Sequence, residues 1–139
     1  MTSSIELRHV TKEFVVRPTK DQPRASVLRA VEDISLTVPA GEFLTLVGPS
    51  GSGKTTILRS LNALDIPDAG VIRVGARTID FSGQYTRADI AAYRAQSAMV
   101  FQNYNLFPHK KVLENVIEGP VVVQGEPARE AEERGRELL

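Results

Sequence analysis

Apolar and polar positions alternate through the first forty residues. Ile5-Glu-Leu7-Arg-His-Val10 and Ile34-Ser-Leu36-Thr-Val38 each set apolar against polar side chains, which predicts two half-buried strands. Between them, Arg17 to Ser26 carries Pro18 and Pro23 and predicts a polar surface loop. Pro39-Ala-Gly41 turns the chain into Phe43-Leu44-Thr45-Leu46-Val47, apolar enough to predict a buried strand. Lys54 to about Ala63 reads as a helix, Pro67-Asp-Ala-Gly70 as a turn and Val71 to Val74 as a short strand. Ala88 to about Tyr93 predicts a short helix, Ala98 to Phe101 a second buried strand, and Val112 to Ile117 at least a helical turn. A charged helix spans Ala128 to Leu139, with Pro127 at its start. It ends on two leucines without a glycine cap, so it reads as interrupted rather than finished.

Composition narrows the picture. At 139 residues and 42% hydrophobic side chains, the chain has the size of one domain and enough apolar material for a core. Seventeen basic and seventeen acidic residues cancel, so no global field favours nucleic acid or an anionic bilayer. Zero Cys and two His (His9, His109) argue against disulfides and against thiolate or imidazole metal sites. A reduced, cytoplasmic setting fits. The opening MTSSIELRHV lacks the apolar stretch of a signal peptide, and no run approaches the roughly eighteen apolar residues of a membrane span. If the protein works at a membrane, another chain spans it.

Candidate chemistry lies directly after the run Phe43 to Val47. Gly48-Pro-Ser-Gly-Ser-Gly-Lys54-Thr55 spells G-x-x-x-x-G-K-[ST], the phosphate-binding P-loop. A glycine-rich turn that opens a helix brings backbone N–H groups and the positive helix end to one point. Gly48, Gly51 and Gly53 let the backbone wrap an anion, and Lys54 adds a point charge for the β- and γ-phosphates. Thr55 adds a neutral hydroxyl suited to Mg²⁺, which keeps most of its water.

Four longer stretches then carry a resemblance: GPSGSGKTTILRSLNAL at 48–64, PDAGVIRV at 67–74, MVFQNYNLFPHKKVLENV at 99–116 and EGPVVVQGEPAREAEERGRELL at 118–139. From Ile5 to Leu139 the chain resembles the ATP-binding subunit of ABC transporters, most of all importers of polar amino acids. The resemblance implies an α/β fold, the ABC-type P-loop NTPase nucleotide-binding domain. It would have N-terminal antiparallel strands plus a P-loop core and be C-terminally incomplete, residues 1–139 forming its N-terminal part. It implies ATP and Mg²⁺ as cofactors, with Gly48, Pro49, Ser50, Gly51, Ser52, Gly53, Lys54, Thr55 and Thr56 around the phosphates and Phe14 stacked on adenine. It assigns Gln102 to the Q-loop; Thr55 and Gln102 would contact Mg²⁺, and Lys54 and Gln102 would serve catalysis. Asn103 to Val112 would face integral-membrane permease subunits, with Phe107, Pro108 and His109 presented to them. The family setting is a homodimer of ATP-binding subunits at the cytoplasmic face of the cell membrane, with no nucleic acid.

Departures matter equally. Lys111 stands where the family usually has Thr, Asp65 where many members have Glu, and the stretch from Val15 to Ser26 is longer than usual. The family's signature motif, Walker B strand, D-loop and switch histidine have no counterpart in these 139 residues. Phe81-Ser82-Gly83-Gln84 is one glycine short of a signature and reads as a turn. Val121-Val122-Val123-Gln124 lacks the terminal Asp that a Walker B strand needs for Mg²⁺. The chain alone is therefore expected to bind nucleotide without hydrolysing it, and a parallel sheet built from it would keep an open apolar edge. A truncated binding module is one alternative. A small P-loop kinase is a weaker one, since it would need a lid of basic residues and none is obvious.

Overall fold

The computed structural model describes residues 4–18 and 23–139. Strand β1 (Ile5–Val16) pairs antiparallel with β2 (Ser26–Val38) from Ile5 opposite Val38 to Val16 opposite Ser26. Both strands outrun the alternation that predicts them, because Lys12 to Val16, polar in part, finds ladder partners in Ser26 to Val31. The predicted loop gives up only Ser26 to β2, and its residues 19–22 lie outside the described residues. Register shifts fall between Leu7 and Val10, Val10 and Lys12, and Lys12 and Glu13. His9 and Asp33 flank the first irregularity with φ of 52° and 50°, and His9 Nδ1 lies 2.7 Å from Asp33 Oδ1. Local side-chain bonds hold both in a backbone region that costs non-glycine residues energy.

Strand β3 (Ala69–Val74) takes the other edge of β1, and β4 (Arg77–Asp80), which the sequence did not reveal, pairs with β3. The sheet is antiparallel throughout, in the order β2-β1-β3-β4. Leu7, Val10, Ile72, Val74 and Ile79 from the sheet pack with Ala63, Phe81 and Tyr93 into one core. Helix α1 (Lys54–Leu61) stops where Ala63 turns to φ 49°, and helix α2 (Arg87–Arg94) begins at a Thr86–Asp89 capping box. Tyr93, 1% exposed, donates its hydroxyl to Leu61 O at 2.9 Å and meets Phe81 edge-on at 6.5 Å. Burial pushes its phenol above the ordinary range. These elements make up the first of two compact units, Met1–Met99.

The second unit, Val100–Leu139, contains helix α3 (Val112–Glu118), a π-helical turn (Gly119–Val123) and helix α4 (Ala128–Glu137). A Cβ on Gly135 of α4 would lie 2.8 Å from Ile117 Cγ2 and 2.9 Å from Leu113 Cδ1. The two helices therefore meet across a position where only glycine leaves room.

Two predicted buried strands do not form. Phe43 to Val47 runs as irregular backbone with Phe43 93% and Val47 89% exposed, and Ala98 to Phe101 does the same with Val100 95% exposed. Apolar character is not sufficient for a strand: the N–H and C=O groups need a ladder partner, and neither run finds one among the described residues. The expected parallel sheet with an open edge is thus replaced by an antiparallel sheet and two exposed apolar runs.

Candidate functional site

The loop between Val47 and α1 closes on itself. Ser52 N donates to Pro49 O at 3.3 Å, and Lys54 folds back so that its Nζ donates to Gly48 O at 2.8 Å, Pro49 O at 2.6 Å and Ser52 Oγ at 3.2 Å. One ammonium thereby neutralises the inward carbonyls of the loop and leaves the N–H groups to define its remaining polarity. Gly53 has φ 86° and serves as the N-cap of α1. A Cβ there would stand 2.3 Å from Ala30 O, so both conformation and space demand glycine. Its contact with β2 anchors the loop to the sheet.

Helix α1 begins without a side-chain cap and without an acidic residue in its first turn. Its leading N–H groups therefore have no side-chain acceptor of their own, which suits an incoming anion. Thr55 is exposed and Thr56 half-buried at this end, while Ser50, Gly51 and Ser52 form the exposed rim. Among the described residues no group of three or more His, Asp or Glu converges to hold a metal. The donors present fit Mg²⁺ only in the manner of a P-loop, through phosphate oxygens and the Thr55 hydroxyl.

Phe14 lies half-buried on β1, opposite Leu28. Gly53 abuts Ala30 and Val31 of β2, and Val31 is the ladder partner of Lys12, two residues from Phe14. The fold so brings the aromatic strand and the glycine loop to neighbouring positions of one sheet. Lys12 Nζ sits 5.3 Å from the Phe14 ring centroid, a contact the sequence did not announce.

Gln102 belongs to the second unit, exposed in a bend. The following segment is organised by one side chain. Asn115 of α3 accepts from Phe107 N at 2.7 Å through Oδ1. Its Nδ2 donates to Phe107 O, Lys110 O and Lys111 O at 3.3, 3.1 and 3.0 Å. Lys110 pairs with Glu118 and stands 5.1 Å from the Phe107 ring centroid. Leu106, Phe107, Pro108, Val112 and Val116 then line a shallow apolar cavity of about 290 Å³. Sequence reasoning named Phe107 and Pro108 but missed Asn115; an amide three residues into a helix that follows a loop was the available signal. Among the described residues no helix is long and apolar enough to cross a membrane.

Comparison with known proteins gives one consistent result. A family model described as ABC transporter matches residues 31–138. The chain is 47% identical over 139 residues to the L-cystine transport system ATP-binding protein TcyN of Escherichia coli (strain K12), covering 99% of this chain and 51% of that protein. It is also 47% identical over 109 residues to the L-cystine import ATP-binding protein TcyC of Bacillus subtilis (strain 168), covering 78% of this chain and 44% of that one. Among solved structures, the ATP-binding cassette MJ0796, determined as a dimer in a post-hydrolysis state with ADP and Pi, matches with a TM-score of 0.71 and 28% identity. That match covers 96% of this chain and 54% of the cassette. The chain spans about half the length of the curated relatives it matches.

Proposed function

The chain belongs to the ABC transporter family, and on that premise we propose that it binds Mg-ATP at Gly48–Thr56 as the nucleotide-binding part of an amino-acid importer. The observation that carries this reading is the uncapped start of α1 behind a loop whose carbonyls are already engaged by Lys54. A phosphate entering there meets the N–H groups of the helix start, and meets the ammonium once Lys54 exchanges one of its three loop contacts for a phosphate oxygen. Bound Mg²⁺ would supply charge neutralisation between the β- and γ-phosphates. Thr55 is assigned to hold it, and Lys54 would reach from the loop to the phosphate. Phe14 is assigned to the adenine ring, which its position beside the Gly53 contact supports.

The segment Asn103–Val112 is assigned to a membrane permease. Its apolar cavity, held open by Asn115, suits an apolar element of another chain, and such a role places the protein at the cytoplasmic face of a membrane. Gln102 is assigned to Mg²⁺ and the attacking water in the assembled, dimeric transporter. The relatives' names supply amino acids as the cargo class.

The 139-residue polypeptide by itself is expected to bind without turnover, since its sequence holds no counterpart of the water-orienting carboxylate. Calorimetric titration with Mg-ATP tests the reading: saturable binding that Lys54→Ala abolishes supports it, and binding indifferent to Lys54→Ala overturns it. Phosphate release at the background rate is expected in parallel. Phosphoryl transfer to a nucleoside monophosphate would favour the kinase alternative.

A further inference from the structure

We propose that Lys12 is a base-positioning residue: held by Asp68, its ammonium covers one face of the Phe14 ring and leaves a flat base a single face to stack on. The proposal rests on the nucleotide reading above. Directly opposed residues of an antiparallel ladder share a face, and Lys12 opposes Val31. Val31 Cγ2 lies 3.6 Å from where a Gly53 Cβ would be, so the Lys12 side of β1 is the side on which the phosphate loop rests. Phe14, two residues on, shares that side. Its ring contact with Lys12 agrees, at 5.3 Å from ammonium to centroid.

Lys12 is not an ordinary surface lysine. Its side chain is only 14% exposed, and its Nζ lies 3.1 Å from Asp68 Oδ2. The same carboxylate oxygen accepts from Glu13 N at 2.7 Å, and Asp68 N donates to Thr11 O at 2.9 Å. One aspartate in the turn after α1 thus grips β1 at three consecutive residues just before the aromatic. The register slips between Lys12 and Glu13, so the ladder alone does not fix this stretch. A cation held against one face of the ring limits ring rotation and spends that face, which directs a purine to the other.

Titration of the whole chain with Mg-ATP and with Mg-tripolyphosphate, which has no base, separates the roles. Lys12→Ala and Asp68→Asn are expected to weaken Mg-ATP by about two- to fivefold, the scale of an exposed cation–π contact, with tripolyphosphate unchanged. Lys12→Arg should retain ATP affinity. In a Phe14→Ala background, Lys12→Ala should have no further effect. Equal losses for both ligands, or an undiminished loss without Phe14, overturn the proposal while the phosphate site stands. A Phe14→Ala variant with unchanged ATP affinity removes the base-stacking assignment and the proposal together. Failure of the parent chain to bind either ligand overturns the nucleotide reading itself.

Discussion

Met1–Met99 buries Leu7, Val10, Val31, Ile72, Val74, Ile79, Phe81 and Tyr93, whereas Val100–Leu139 buries only Ala131 and Gly135 among its described residues. The first unit is held by apolar burial over a sheet that fixes where the phosphate loop sits. The second is held by a close helix contact and by polar braces: Asn115 across the Phe107–Lys111 segment, Lys110 with Glu118, and Arg134 with Glu126. Burial tolerates no lost volume, while polar braces can open one at a time. A rigid sheet core and a more yielding segment before α3 follow from this difference in cohesion.

The sharpest way to break the contrast is through the first core. Tyr93→Ala removes a buried ring and its bond to Leu61 O, and should cost about 3–5 kcal/mol in a urea melt. A smaller loss would show that the sheet core is less closely packed than it looks. Next is Gly135→Val, whose Cβ meets the Leu113 Cδ1 end and the stiffer Ile117 Cγ2 branch. About 1–3 kcal/mol of local destabilisation is expected, visible as faster amide exchange in α3 and α4 with the sheet unaffected.

Asn115→Ala should be milder, on the order of 1 kcal/mol, because its partners stay within reach of water. The Phe107 amide should exchange faster while Mg-ATP affinity is unchanged. A loss of nucleotide affinity would deny that the two units divide the labour. The smallest effect belongs to the cap of α2. The Thr86 hydroxyl, then its backbone N–H, hold the Asp89 carboxyl below its ordinary 3.8. A depressed folded value means that the stabilisation is complete above pH 3.8 and fades as pH falls through the lower folded value. Thr86→Ala should lower the melting temperature slightly at neutral pH, and the gap to the parent should close in acid.

Local chemistry made much of this legible. Helices α1, α2, α3 and α4 lie within about two residues of their expected limits, because caps, Pro127 and apolar spacing act over a few neighbours. The glycine-rich loop was legible for the same reason: G-x-x-x-x-G-K-[ST] encodes its own backbone geometry, and Gly53 takes a positive φ at the start of α1 while Lys54 folds back on the loop carbonyls. Strands were read less well. Thr11 to Val16 lie beyond the alternating run and became strand, while Phe43 to Val47 and Ala98 to Phe101 looked apolar and did not.

The sequence by itself determined the glycine-loop pattern, the helices and the family, since each rests on residues close together along the chain. Tertiary structure alone decided which apolar runs failed to become strands and how far the true strands extend, that Lys12 lies against Phe14, and that Asn115 braces the segment before α3. The physical reason is the same in each case. A ladder bond, a cation over a ring and an amide holding a distant loop all need a partner whose position is set by folding, not by spacing along the chain.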